Sequence, residues 1–168
     1  SITGCSSGFG KLAAKEIALE GHTVFATMRD TEGRNSDAAK ALASVKNVVV
    51  LEMDVTSESS VETAVGHCMA RSGVDCVIHN AGIGVDGVAE ASTTDQFAQV
   101  LDVNLLGAHR LNRAVLPHMR GRRSGLLLYV SSGLGRTVLP YFSSYCASKF
   151  ALEGYAESLA YELITHGI

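Results

Sequence analysis

Short β-branched apolar runs alternate along the chain with longer stretches in which apolar residues recur every three or four positions. That pattern predicts a parallel sheet whose strands are joined by helices. Residues 23–28, 48–53, 75–79 and 126–131 read as the strands. Their almost unbroken apolar character predicts burial on both faces, as in a sheet sandwiched between helices. Residues 11–20 place Leu12, Ile17 and Leu19 near one stripe and stop at Gly21, where a left-handed residue can end a helix. Thr56 or Ser57 can cap a second helix carrying Val61, Ala64, Val65, Cys68 and Met69 on one face. Thr93-Thr94-Asp95-Gln96 reads as a capping box opening a helical stretch through Phe97, Val100 and Leu101. A further stretch runs from Leu105 to Met119, with Pro117 near its end. Residues 142–164 are rich in Ala and Ser, with Leu152, Tyr155, Leu159 and Leu163 on a stripe, and predict a last helix with a smooth, closely packing face.

Composition narrows the class. With 168 residues, 46% hydrophobic and 18% charged, the chain can bury one core and is not a disordered tail. Its 2 prolines mark no linker, so a single domain spanning residues 1–168 is expected. A net charge of −3, from 14 Lys+Arg against 17 Asp+Glu, leaves no basic footprint for a phosphate backbone, and nucleic acid is not an expected partner. The longest apolar runs fall far short of the ~20 residues of a membrane span, and the first residues show no secretory pattern. Cys5, Cys68, Cys76 and Cys146 are scattered without CxxC spacing, which suits free thiols in a reducing compartment and makes the cytoplasm the default. The histidines show neither HxxxH nor HxH spacing, so no metal site is expected. Arg120-Gly121-Arg122-Arg123 reads as a solvated loop after a helix.

Glycine is in excess, with 17 residues, and its placement is informative. Thr3-Gly4-Cys5-Ser6-Ser7-Gly8-Phe9-Gly10 lies between an apolar stub and the first helix, where a dinucleotide fold grips the pyrophosphate. Such a turn needs glycines so that backbone can approach the phosphates, while the helix N-terminus supplies N–H donors and partial positive charge. An ordinary strand-to-helix turn is the bland alternative. At the end of the second run, Met28 stands where an acid would accept from the adenosine ribose, and Arg29 follows, which suits a 2′-phosphate and so NADP over NAD. Arg29 could equally be a residue that merely ends a strand, and Asp30 could bind a hydroxyl.

Tyr145 and Lys149 stand four apart in a helical stretch and so share a face, about 5–6 Å apart at Cβ. A nearby ammonium favours a phenolate, which makes such a tyrosine a usable acid/base. Ser132, just past the end of a predicted strand, is placed to polarise a carbonyl or orient an alcohol, or is simply a turn residue.

Taken in order, TGCSSGFG, Asn80-Ala81-Gly82, Asn104, Ser132 and YCASK make the chain similar to the short-chain dehydrogenase/reductase family over its whole length. It is nearest in look to the hydroxysteroid and retinol dehydrogenases of the non-extended branch. The resemblance implies an α/β, Rossmann-like doubly wound parallel sheet with helices on both faces. It implies an oxidoreductase using NADP, with NAD as the other option, to interconvert a secondary alcohol and a ketone or aldehyde on a hydrophobic small molecule. Tyr145 would be the general acid/base, Lys149 would lower its pKa and bind the nicotinamide ribose, and Ser132 would hold the substrate oxygen. Asn104 would anchor a water in a proton relay. Gly4, Gly8 and Gly10, with Ser6, Ser7 and Phe9 in the same loop, would carry the pyrophosphate. Asp54 and Val55 would meet the adenine, and Asn80, Ala81 and Gly82 the central sheet and adenosine side. The last helix would pair across a homodimer or homotetramer.

His79 stands where the family often has an asparagine, and the chain is expected to be truncated at both ends relative to the family domain. Two rival readings fit parts of the pattern. One is a non-catalytic NADP(H)-binding sensor or scaffold, against which the intact Ser132, Tyr145 and Lys149 speak. The other is an extended-branch epimerase or dehydratase, which would show TGxxGxxG spacing.

Overall fold

A computed structural model describes residues 1–168. Its four strands are β1 (Val24–Met28), β2 (Val48–Glu52), β3 (Cys76–His79) and β4 (Leu126–Tyr129). The helices are α1 (Gly8–Leu19), α2 (Ser36–Ala43), α3 (Glu58–Arg71), α4 (Thr94–Leu101), α5 (Gly107–Arg122) and α6 (Ser143–Leu163). β1 pairs parallel with β2, Val24 opposite Val48, and β3 pairs parallel with β4, Cys76 opposite Leu126.

Ile2 joins the two pairs. It bridges Ala26 on one side and Ile78 on the other, both parallel. Its N–H donates to Phe25 O at 3.0 Å, its carbonyl accepts from Thr27 N at 2.9 Å, and Thr3 N donates to Ile78 O at 3.0 Å. The order is therefore β2, β1, Ile2, β3, β4, and the chain leaves the centre in opposite directions on its two halves. Such a reversal opens a crevice at the C-terminal ends of the central strands, the place where parallel α/β sheets bind ligands.

Apolar side chains build one core on each face. Phe25, Val61, Val65, Val77, Leu111, Val115 and Met119 seat α3 and α5 on one side. Ile2, Ala14, Ala18, Val24, Met28 and Leu42 seat α1 and α2 on the other. The Rossmann-like reading therefore holds, with corrections to its detail. α1 begins at Gly8, so the glycine turn runs directly into the helix. Ser57 caps α3 by accepting from Ser60 N, and Thr93 and Gln96 make the expected capping box on α4. The stretches expected on either side of residue 104 form one continuous rod, because a π-helical turn over Asp102–Leu106 joins α4 to α5.

Burial on both faces holds for β1, which is buried throughout, but not for β4, where Leu126 and Leu128 are 56% and 43% exposed. Leu126 and Leu128 alternate onto one face of β4, and that face is left uncovered while Leu127 and Tyr129 on the other are partly buried. The basic run is not a loop: Arg120, Gly121 and Arg122 complete the last turn of α5, where cations complement the helix dipole, and Arg122 pairs with Asp75.

Candidate active site

The glycine turn is held by the segment after β3. Thr3 Oγ1 accepts from the backbone N–H groups of Asn80 at 3.0 Å and Ala81 at 2.8 Å. Asn80 Nδ2 donates in return to Thr3 O at 2.9 Å and Gly4 O at 3.3 Å. This close approach dictates two of the glycines. A Cβ on Gly4 would lie 2.9 Å from Ala81 Cα, and one on Gly10 would lie 2.5 Å from Asn80 Nδ2 and 2.6 Å from Gly4 O. Gly10 is thus required by packing against Asn80 and Gly4. Gly8 differs: its φ is +55° and a Cβ there would meet nothing within 4 Å, so it faces open space at the start of α1.

That space is a groove of about 370 Å³. Gly4, Ser6, Ser7, Gly8 and Phe9 form one wall; Met28 ends β1, and Arg29, Arg34 and Asn35 lie beyond it; Met53, Asp54 and Val55 lie beyond β2; and Asn80, Ala81, Gly82 and Ile83 lie beyond β3. A helix N-terminus, glycine backbone and a cation at the far end suit an elongated molecule bearing phosphates. Asp54 is partly committed, since its Oδ1 accepts from Thr56 N at 2.9 Å and Thr56 Oγ1 at 2.8 Å.

The groove continues towards the first turns of α6. Lys149 is buried, and its Nζ donates to Val130 O at 2.9 Å and lies 5.7 Å from the centre of the Tyr145 ring. Burial lowers the Lys149 pKa, and Glu153 opposes that shift. The segment 82–84 passes over both side chains. A Cβ on Gly82 would lie 3.3 Å from Asn104 Oδ1 and 3.7 Å from Lys149 Nζ, and one on Gly84 would lie 3.9 Å from Tyr145 Cδ2. Asn104, in the π-helical turn, grips this segment: its Oδ1 accepts from Ile83 N at 2.8 Å and its Nδ2 donates to Ile83 O at 2.9 Å and to Ser148 Oγ at 2.9 Å. Ser148 Oγ donates onward to Tyr145 O at 2.7 Å. Ser132 precedes the turn Gly133–Gly135 and caps it, its Oγ accepting from Leu134 N at 3.1 Å. Gly135 lets that turn sit on α6, where a Cβ would be 3.2 Å from Lys149 O.

The structure therefore brings Asn104, Tyr145, Lys149 and Gly82 to one place and puts the glycine turn, Arg29, Asp54, Val55, Asn80 and Ala81 along the adjoining groove. Ile83 and Ser148 were missed. Ser148 lies inside the YCASK motif and its signal was available in the three-residue spacing to Tyr145, whereas Ile83 acts only through its backbone and leaves no trace in the sequence. Cys5 lies in the glycine turn but is fully buried, its Sγ donating to Ile2 O at 3.3 Å, and burial pushes its thiol up to about 12.

A family model described as short chain dehydrogenase matches residues 1–168. The chain is 43% identical over 173 residues to human 17-beta-hydroxysteroid dehydrogenase type 1, covering 99% of this chain and 52% of that protein. It is 39% identical over 163 residues to 3-ketodihydrosphingosine reductase of Bacteroides thetaiotaomicron, covering 96% of this chain and 57% of that one. It thus spans about half the length of these curated relatives. The solved structure of ElxO with NADP bound matches with a TM-score of 0.91 at 28% identity, over 99% of this chain and 68% of that one. A gluconate 5-dehydrogenase from Burkholderia cenocepacia J2315, solved in complex with NADP and tartrate, matches with a TM-score of 0.89 at 26% identity, over 99% and 66%.

Proposed function

The chain belongs to the short-chain dehydrogenases, and from that premise we propose that it forms the dinucleotide-binding domain of an NADP(H)-dependent oxidoreductase interconverting an apolar alcohol with its ketone or aldehyde. The observation that carries this reading is the meeting of Tyr145, Lys149 and Asn104 under the segment 82–84, two residues after Asn80, which clamps the glycine turn. One stretch of backbone thereby couples the phosphate grip to the acid/base pair.

NADP(H) supplies the hydride chemistry when bound. Gly8 and the N–H groups at the start of α1 would hold its pyrophosphate and Arg29 its 2′-phosphate. Tyr145 Oη exchanges the proton with the substrate oxygen, and Ser132 Oγ donates to that oxygen. The Lys149 ammonium stabilises the phenolate formed when Tyr145 gives up its proton. Asn104 keeps the segment 82–84 over the pair and tethers it to α6 through Ser148. In the full-length protein, Tyr145→Phe is expected to lower kcat by about 10²- to 10⁴-fold while NADP binding is unchanged. Turnover at the wild-type rate would remove the phenol from the mechanism.

The substrate class follows from two loops beside Tyr145. The Gly87 N–H donates to Tyr141 O at 2.8 Å, joining the segment with exposed Val85 and Val88 to the one with exposed Val138, Leu139 and Tyr141. This apolar rim next to the reacting groups suits the hydrocarbon body of a substrate. No helix of the chain is long and apolar enough to cross a membrane. The unpaired cysteines, three of the four buried, suit the reducing cytoplasm. The outward side of α6, with Phe150 and Tyr161 exposed, is where a homodimer or homotetramer would meet, and a purely monomeric full-length protein in sedimentation would dismiss that contact.

A further inference from the structure

The loop after β1 folds Asp30 back onto its own backbone and leaves its arginines free, while its other acid, Glu32, points to solvent. Asp30 adopts a left-handed φ of 51°, its Oδ2 accepts from Arg34 N at 2.9 Å, and its carbonyl accepts from Asn35 N at 3.0 Å. A Cβ on Gly33 would lie 2.2 Å from Asp30 Oδ1, so glycine is what leaves room for the carboxylate to fold back. Glu52, at the end of β2, takes Thr31 N at 3.2 Å and Thr31 Oγ1 at 2.7 Å. Asn35 Nδ2 donates to Arg29 O at 2.6 Å. Every one of these bonds closes residues 29–35 on themselves or onto β2. None engages the guanidinium of Arg29 or Arg34. Both arginines border the groove, are exposed, and take part in none of the ion pairs of the chain.

An adenosine ribose with a free 2′-hydroxyl needs an acceptor at this place; Asp30 and Glu52 are already committed to backbone and hydroxyl donors, and the exposed Glu32 does not border the groove. A phosphate needs donors, and two unpaired planar guanidiniums, each able to give paired N–H bonds, stand there instead. Resting on the NADP reading above, we propose that Arg34 is a second specificity-determining residue, bracketing the 2′-phosphate together with Arg29. Asp30 and Glu52 are positioning residues that hold the loop in the shape that presents Arg34, and neither is a ligand of the ribose.

The test is calorimetric titration of the full-length protein with NADP, NAD and 2′,5′-ADP. Arg34→Ala removes only the guanidinium, because the bond to Asp30 uses the Arg34 backbone N–H. It is expected to weaken NADP and 2′,5′-ADP about tenfold or more and to leave NAD within about twofold, with Arg34→Lys recovering part of the loss. Asp30→Ala is expected to weaken 2′,5′-ADP as Arg34→Ala does and to leave NAD unchanged. If the wild type binds NADP more tightly than NAD but Arg34→Ala binds 2′,5′-ADP as the wild type does, the role of Arg34 is overturned while the NADP reading stands. A wild type with no preference for NADP overturns the NADP reading itself. A selective loss of NAD affinity in Asp30→Ala would make Asp30 a ribose ligand and overturn its positioning role.

Discussion

Tyr141 carries a left-handed φ of 69°. Asn47 and Asp30 share that conformation, and their short polar side chains tolerate it, whereas a bulky aromatic residue sits there at a cost of about 1–2 kcal/mol. The side chain is 66% exposed, so packing returns little of that cost, and the backbone is fixed by the bond from Gly87 N to Tyr141 O. Tyr141→Asn should therefore raise stability by about 1 kcal/mol, read as a higher Tm in thermal unfolding of the full-length protein. A lower Tm would mean that the ring makes contacts worth more than the strain. Residue chemistry was legible where a side chain acts through its own spacing, as with Tyr145 and Lys149 on one helical face. It was hidden where backbone acts, as with Ile83 under Asn104, and the division of labour within the glycine turn, packing for Gly10 and open space for Gly8, needs the partner segment to be seen.

Four elements meet on one buried carboxamide, that of Asn112 in α5. Its Oδ1 pairs with His79 Nε2 of β3 at 2.8 Å, and its Nδ2 donates to Tyr129 OH of β4 at 2.7 Å and Tyr155 OH of α6 at 3.0 Å. His79 stacks on the Tyr129 ring at 4.6 Å. The replacement of the family's frequent asparagine by His79 is thus absorbed by a polar network and not by backbone alone. Burial lowers the His79 pKa from 6.5 to about 4, more than the bond to Asn112 raises it. A folded pKa below the unfolded one means that the unfolded chain binds the proton first. The His79 contribution is therefore constant above about pH 6.5, and stability is lost as pH falls from there towards 4, by roughly 3 kcal/mol in all. Denaturant melts of wild type and His79→Gln between pH 4 and 8 should converge at the acid end, and parallel curves would contradict the buried neutral imidazole. At this scale the caps at Ser57 and Thr93 and the burial of β1 were readable from local pattern. The short helix α2 was not, because no side chain caps its start and only Ala39 and Leu42 are buried along it. Nor was the π-helical turn, which tertiary bonds from Asn104 hold in place.

The whole sheet hangs on Ile2. The pairs β1–β2 and β3–β4 share no strand contact, and Ile2 is the residue that bridges both. It is 2% exposed and belongs to the core beneath α1 and α2, while its neighbour Thr3 fixes Asn80 and Ala81 at the far end of β3. The same two residues thus join the halves of the fold and set the glycine turn against the segment that covers Tyr145 and Lys149. Ile2→Ala keeps the backbone bonds and removes the apolar wedge, at a cost of about 2–5 kcal/mol typical of buried Ile→Ala changes. If Ile2 couples the halves, amides of β1 and of β3 should lose hydrogen-exchange protection together and by similar factors in the full-length variant. NADP affinity should fall with them, since Gly4 and Asn80 no longer meet in a fixed geometry. Loss of protection in β1 alone, with β3 and NADP binding intact, would show that the two halves are held together elsewhere, by the helices on either face, and that Ile2 serves only the core on its own side.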